Sequence, residues 1–294
     1  MTYFCGDSSF PMTMCWNKSR SRYARPGAAG FCLAVVLAVL LFLFARPSFP
    51  ARADISVHFL GFREGTEDAP FPEGWELVSY PGKQGNRFIL ESRQEGEDLP
   101  PDITGSVLRV HSLNSVSALM VVPHMALDEY PVLSWWWKIN RPVGMAREDR
   151  SGRNDSAARL RVVFGSPEAA SPTSRPALPP DLGLLRRFLV GMDEGGRLEP
   201  PGRKIDYIWG NHLPAGTVID YPGGRDHKVL VLQSGKEKAG TWVKEERDLL
   251  RDFREYFGGM PEGIAGILIL SDTDETNEGV TAWFADVVLK ERDN

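Results

Sequence analysis

Cysteine is nearly absent from this sequence, and the few cysteines it has all lie near the start. The 294 residues include three cysteines, Cys5, Cys15 and Cys32, and none lies beyond residue 53. The rest of the chain therefore has no disulfide, no thiolate metal site and no cysteine nucleophile. Its stability must come from the packing of apolar side chains, and a hydrophobic content of 42% supplies enough of them for a core.

The short motifs that mark common enzyme classes are also missing. The sequence has no Gly-x-Ser-x-Gly elbow, no Walker loop and no dinucleotide fingerprint, and its five histidines are scattered without metal-ligand spacing. A net charge of −5 argues against sequence-independent binding of nucleic acid, which requires a basic face. A glycoside hydrolase or lyase stays open, since that chemistry needs only two suitably placed carboxylates.

The first 53 residues have the pattern of a secretory signal. Four basic residues precede an unbroken apolar stretch at residues 28–45, and Ala51-Arg52-Ala53 then supplies a small-x-small cleavage site. This order predicts a signal peptide that is cut before Asp54, which places the protein in the periplasm or outside the cell. The alternative is an uncut anchor, because the 18 apolar residues are just long enough to hold the protein in the inner membrane.

Residues 54–294 are predicted to form a single all-β domain. Residues 1–53 hold one of the 39 acidic residues and six of the 34 basic ones, so the remainder carries a net charge of −10. The many glycines (29) and prolines (22) favour turns over long helices. Roughly eleven strands are expected, at residues 55–59, 75–80, 87–91, 107–111, 117–122, 132–139, 158–164, 204–209, 227–233, 264–271 and 281–290. This pattern predicts a jelly-roll-like β-sandwich.

Two short helices and one insertion complete the predicted domain. Helical periodicity occurs only at residues 181–190 and 245–257, and Gly258 and Gly259 end the second stretch. The proline-rich residues 166–203 are predicted to form a long surface insertion around the first helix.

Alternation along the strands predicts an exposed patch of aromatic and basic side chains. In residues 132–139 Trp136 and Lys138 fall opposite the apolar face, and in the next strand Arg159 and Arg161 do the same. Together they would bind an anionic glycan, since sugars stack on indole rings and the basic groups attract negative charge. Trp209 is a further candidate for stacking, whereas the other tryptophans after residue 53 (Trp75, Trp135, Trp137, Trp242 and Trp283) are expected to pack in the core. The alternative is that this face is covered by the helix or the insertion.

Calcium is the one ion that the sequence suggests, although no cofactor is required. The loop at residues 271–278 alternates carboxylates with hydroxyl and carbonyl oxygens, so Asp272 and Asp274 are candidate ligands. A solvated turn without an ion is the alternative. In the last strand, alternation is expected to bury Trp283, Ala285, Val287 and Leu289 and to expose Asp286, which is a separate candidate ligand. A β-bulge would invert this phase.

An ordered set of motifs resembles a bacterial exported family known as domain of unknown function 3047. The set spans residues 57–290 and consists of Pro72-Glu73-Gly74-Trp75, Leu133-Ser134-Trp135-Trp136-Trp137-Lys138, Asp155 with Ala158-Arg159, Tyr207-Ile208-Trp209-Gly210, Arg247-Asp248, Phe257-Gly258, Asp272-Thr273-Asp274 and Trp283-Phe284-Ala285-Asp286. Glu275 stands where the family usually has asparagine. The resemblance implies export and a single β domain, and it brings no catalytic residues. The ends of the domain also resemble those of carbohydrate-binding jelly rolls, a likeness of fold alone.

Three functions follow from these patterns. The first is an exported, noncatalytic β-sandwich that binds a glycan or another envelope polymer. The second is an envelope protein that contacts other proteins, and the third is a hydrolase or lyase. No nucleic acid partner is expected, and the membrane is contacted only through the N-terminal segment if that segment is not cut.

Overall fold

The computed structural model describes residues 57–58, 71–72, 74–92, 99–170, 199–222 and 224–292. The predicted signal or anchor at residues 1–53 and the predicted helix at residues 181–190 lie outside these ranges, as does most of the proline-rich insertion. Within the described ranges, no helix is both long enough and apolar enough to span a bilayer.

Thirteen strands, one α-helix and one short 3₁₀ helix make up the described part of the chain. The strands are β1 (Val57–His58), β2 (Glu76–Ser79), β3 (Arg87–Glu91), β4 (Val107–Leu113), β5 (Val116–Val121), β6 (Val132–Ile139), β7 (Ser156–Phe164), β8 (Arg203–Gly210), β9 (Val218–Tyr221), β10 (Gly224–Ser234), β11 (Val243–Asp248), β12 (Ile264–Asp272) and β13 (Gly279–Lys290). The α-helix, α1, spans Leu249–Phe257, and the 3₁₀ helix spans Pro167–Ala170.

These strands form the two sheets of a jelly roll. The six-stranded sheet has the order β11-β6-β13-β4-β3, with β1 paired to β13, and the seven-stranded sheet has the order β2-β5-β12-β7-β8-β10-β9. From β4 to β7 the chain changes sheet at every connection, and it does so again from β11 to β13. The late strands β12 and β13 insert between earlier ones, which is the nested arrangement of a jelly roll. The predicted fold class is confirmed.

The core lies between the two sheets, and alternating side chains of β6 and β7 contribute to it. The inner face of β6 carries Leu133, Trp135, Trp137 and Ile139, all fully buried. The Trp135 and Trp137 rings meet edge to face with their centroids 5.5 Å apart. Alternation therefore predicted the inner faces of both strands correctly, because the apolar positions of β7 are also part of this core.

Trp209 belongs to this core and not to a ligand surface. It is 1% exposed, its ring centroid lies 5.9 Å from that of Trp137, and its indole N–H donates to the carbonyl of Gly235 at 3.1 Å. The prediction that Trp209 contacts a ligand was wrong. Its position opposite Ala158 in the β7–β8 pairing turns it toward the inside of the sandwich.

A bulge at Asp286 inverts the predicted phase of β13. Asp286 has a φ of 43°, and the register with β6 shifts between Ala285 and Val288. After the bulge Val287 and Leu289 face the core as expected, but before it the alternation is reversed. Trp283 and Ala285 thus lie on the outer face, whereas Ala282 and Phe284 are buried inside. An extra residue in one strand has this effect because side chains alternate with a period of two.

The predicted helix at residues 245–257 is part strand and part helix. Residues Val243–Asp248 form β11, an edge strand that pairs with β6, and α1 follows directly. Asp248 marks the change, since its carboxylate accepts a hydrogen bond from the Arg251 N–H and caps α1. Gly258, with a φ of 73°, ends the helix. The short strand β9 was also missed by the sequence pattern.

Candidate functional site

A polar cleft of about 170 Å³ lies on the outer face of the seven-stranded sheet. Its walls come from the end of β12 and the loop after it, from β7, and from the segments before β3 and β10. Polar residues on these walls include Tyr80, Lys83, Asn154, Tyr221 and Glu275. The cleft thus joins parts of the chain that are far apart in sequence.

A buried ion network forms the floor of the cleft. Arg161 donates to both carboxylate oxygens of Asp206, at 2.6 and 2.8 Å, and also to Glu199 at 3.0 Å. Arg159 donates to Asp206 at 3.2 Å. Burial alone would raise the pKa of Asp206, which is 0% exposed, but the two guanidinium groups, Arg161 foremost, hold it well below its ordinary value.

Arg159 and Arg161 are therefore structural residues and not an exposed basic patch. They are 2% and 5% exposed, although alternation placed them correctly on the outer face of β7. Neighbouring residues bury both guanidinium groups, because β8 places Asp206 directly beside Arg161, Glu199 also binds Arg161, and the Asn154 carbonyl accepts from Arg159 at 2.7 Å. Alternation identifies the face of a strand but not what lies over it.

The predicted four-residue patch does not form. Trp136 and Lys138 lie on the outer face of the six-stranded sheet, whereas Arg159 and Arg161 lie on the outer face of the other sheet. The core of the sandwich separates the two pairs.

His227 and Tyr221 close one side of the ion network. Their rings are stacked, with centroids 4.2 Å apart and planes 6° from parallel. His227 Nε2 lies 3.0 Å from Asp206 Oδ1. Burial lowers the pKa of His227 despite the attraction of Asp206, which favours the neutral ring at pH 7.

At the other side of the cleft three carboxylates meet, from Asp155, Asp272 and Asp274. Each offers an oxygen within 4.8 Å of the others. The sequence pattern had proposed Asp272 and Asp274 as candidate ligands but not Asp155. Asp155 directly precedes Ser156, and the pairing of β7 with β12 places Ser156 opposite Asp272. Asp155 is therefore brought close to Asp272 by the strand pairing, which the sequence pattern did not include.

These carboxylates have few partners. Asp155 Oδ2 accepts hydrogen bonds from the backbone and the hydroxyl of Thr276, at 2.9 and 2.7 Å, and Asp274 forms an ion pair with Lys83. Asp272 Oδ2 lies 3.5 Å from Arg159. Burial raises the pKa of Asp272 to about 7, and the negative charges of Asp155 and Glu275 act in the same direction.

Asp286 is not part of this cluster. It lies at the bulge of β13 in the six-stranded sheet, where its Oδ2 accepts the backbone N–H of Thr104 at 2.9 Å. Its separate role as a calcium ligand stays a prediction.

A second distinctive surface lies on the outer face of the six-stranded sheet, and we call it the tryptophan–lysine surface. It consists of Trp136, Lys138, Trp242, Lys244 and Trp283, of which the three tryptophans are half-buried. The Lys138 ammonium lies 4.9 Å from the Trp242 ring centroid and 4.6 Å from that of Trp283. Lys244 lies 5.6 Å from the Trp136 ring. Trp242 and Trp283 were expected in the core between the sheets, but they pack on this outer face instead.

These features define a jelly-roll β-sandwich with a polar cleft on one outer face and aromatic rings on the other. The chain belongs to the family described as Protein of unknown function (DUF3047), whose family model matches residues 73–288. The resemblance seen in the sequence motifs is thereby confirmed. No curated protein matches the chain.

Solved structures of low similarity include a family 11 carbohydrate-binding module of the cellulosomal cellulase Lic26A-Cel5E of Clostridium thermocellum. It is 11% identical with a TM-score of 0.36, and the match covers 82% of this chain and 96% of the module. An exo-beta-agarase is 13% identical with a TM-score of 0.30, covering 81% of this chain and 25% of the agarase. Tailspike protein 4 of bacteriophage CBA120 is 9% identical with a TM-score of 0.31, covering 74% and 19%. At these TM-scores the likeness assigns no function.

Proposed function

We propose that this protein is an exported, noncatalytic β-sandwich that binds a glycan through the tryptophan–lysine surface. The observation that carries the proposal is that three half-buried indoles lie together on one outer face of the sandwich. Pyranose rings present apolar C–H faces that stack on aromatic rings, and polar groups at the edge of such a site bond the hydroxyls. No other part of the described chain gathers partly exposed tryptophans in this way.

The charge of the surface favours an anionic glycan. Residues 54–294 carry a net charge of −10, so two lysines beside three tryptophans are a local exception. Lys244 is 3.8 Å from Asp102, but both side chains are about half exposed or more, so the pair holds the lysine only weakly. The Lys244 ammonium therefore remains available to a carboxylate or sulfate on a sugar, and the Lys138 ammonium, which contacts the Trp242 and Trp283 rings, adds a second positive charge.

A glycan array probed with the purified protein tests this proposal. Trp136→Ala and Trp283→Ala are expected to abolish most of the signal, because each removes a stacking ring. Lys138→Met keeps the aliphatic stem and should weaken only the binding of anionic glycans, with a smaller loss at high salt. Met145→Ala, at an exposed residue outside this surface, is the control and should bind normally.

Two results would contradict glycan binding. One is an array on which the protein retains no glycan, and the other is wild-type affinity in both tryptophan variants. Capture of a protein by the same surface would then favour the interaction domain, because tryptophan is also enriched at protein interfaces.

The export half of the proposal rests on residues 1–53, which the structure does not describe. N-terminal sequencing of the protein from fractionated cells should begin at Asp54. A product that keeps residues 28–45 and fractionates with membranes would establish the anchor instead.

One observation favours the hydrolase alternative. Asp272 has a raised pKa of about 7 and lies close to two other carboxylates, as an acid catalyst and its partner would. The cleft, however, measures only about 170 Å³, which is small for sugar rings on both sides of a scissile bond. Release of reducing ends from a glycan found on the array, lost in Asp272→Asn, would support catalysis.

A further inference from the structure

The carboxylates of Asp155, Asp272 and Asp274 have the spacing of ligands around one cation. Their oxygens lie within 4.8 Å of one another. Oxygens bound to a single calcium ion lie 2.3–2.6 Å from it, so two of them are at most about 5 Å apart. The three residues reach this place from the start of β7, the end of β12 and the loop that follows β12.

Two of these carboxylates are buried and have an oxygen without a partner. Asp155 is 0% exposed and Asp272 is 7% exposed, yet Oδ1 of each meets no hydrogen-bond donor within the described residues. A buried polar atom left without a partner is costly, and most such atoms in native proteins are paired. Both carboxylates belong to the same cluster, so a single positive partner there could bind both residues.

The cations already present do not balance this cluster. Glu275 lines the same cleft and adds a fourth carboxylate. Arg159 approaches Asp272 at 3.5 Å, but it also donates to Asp206 at 3.2 Å and is shared between the two. Among the described ion pairs Lys83 pairs with Asp274, and its side chain is 44% exposed.

We propose that Asp155, Asp272 and Asp274 form a calcium site in which the ion takes the place of the Lys83 ammonium. The cluster offers only oxygen ligands, which suit a hard cation rather than zinc or copper. Calcium is favoured over magnesium because two buried carboxylates and one on a loop form an irregular set, which calcium accepts. Magnesium demands near-ideal octahedral geometry. The site lies on the opposite sheet from the tryptophan–lysine surface and is independent of glycan binding.

Calorimetric titration of the chelator-treated protein with calcium chloride tests the site. The wild-type protein should bind one calcium ion and should melt at a higher temperature with calcium than with chelator. Asp155→Asn should weaken calcium binding at least about tenfold, because calcium affinity follows the number of charged ligands. Lys83→Met should strengthen it roughly two- to fivefold, the range that a partly exposed charge pair supports.

Asp226→Asn is the matched control, since the Asp226 side chain is 79% exposed and pairs with Arg203 outside the cluster. It should bind calcium like the wild type, as should Trp136→Ala. The site is refuted if the wild-type protein takes up no calcium, or if Asp155→Asn binds it normally. Should Asp155→Asn fail to fold, Lys83→Met decides, because an unchanged or lower affinity in that variant contradicts the competition with Lys83. Equal affinity for magnesium would overturn the assignment to calcium.

Discussion

Replacement of Asp206 by asparagine should destabilise the protein severely. Asp206 is 0% exposed and holds two buried guanidinium groups, with Arg161 bound through both of its oxygens. Asparagine keeps the shape, but it removes the negative charge and points an amide N–H₂ at other donors. Breaking a buried ion pair by removing one partner typically costs 3–5 kcal/mol. For a domain of this size that corresponds to a fall in melting temperature of roughly 6–20 °C.

Urea unfolding of Asp206→Asn beside Asp220→Asn measures this loss. Asp220 is the matched control, because it pairs with Lys228 at 2.5 Å in the same sheet but its side chain is 52% exposed. A surface pair of this kind is worth at most about 1 kcal/mol. If the two variants lose similar free energies of unfolding at an unchanged m-value, Arg159 and Arg161 are solvated. The outer face of β7 would then be open, as the sequence pattern had suggested.

Three further predictions concern the core, the cleft and one turn. Trp135→Ala should lower the free energy of unfolding by about 3–5 kcal/mol, and Trp136→Ala, at a half-buried ring, should lower it by less than half as much. Equal losses in urea unfolding would show that both rings lie in the core. Burial lowers the pKa of His227 in the folded protein, so as the pH falls the His227 ring is protonated in the unfolded chain before it is protonated in the folded one. The free energy of unfolding should therefore decrease as the pH drops below about 6.5. His227→Gln should flatten that part of the pH profile, and an unchanged slope would argue against the buried ring. Gly202→Ala should destabilise the protein, since Gly202 has a φ of 145° and a Cβ there would collide with the Phe164 carbonyl oxygen; a normal melting temperature would contradict this geometry.

Most of the fold could be predicted because strand alternation is a local property. The apolar face of β6, with Trp135 and Trp137, follows from the two-residue period within the strand and requires no knowledge of its neighbours. The jelly-roll class followed from the number of strands and the turns between them. The predicted helix was extended back to residue 245, although the apolar side chains that indicated it begin at Leu249. Residues 245–248 instead pair with β6 as part of β11.

The sites were predicted less well because they depend on contacts between distant strands. Arg159 and Arg161 point outward as alternation requires, but only the pairing of β7 with β8 shows that Asp206 lies beside them. Asp155 joins Asp272 through the pairing of β7 with β12, more than a hundred residues later in the chain. The bulge at Asp286 moved Trp283 from the expected core to the outer face, and that shift gave the tryptophan–lysine surface its third ring.

The late insertion of β12 and β13 affects when this chain can fold. β12 lies between β5 and β7, and β13 lies between β4 and β6, so each sheet lacks a middle strand until residues 264–290 have been made. A growing chain up to α1 therefore exposes unpaired edges of β4, β5, β6 and β7, and it can close neither sheet. Folding must wait for nearly the whole domain to emerge, as is expected when most pairings are long-range. If the protein is exported, this delay keeps the chain unfolded while it passes through a translocation channel.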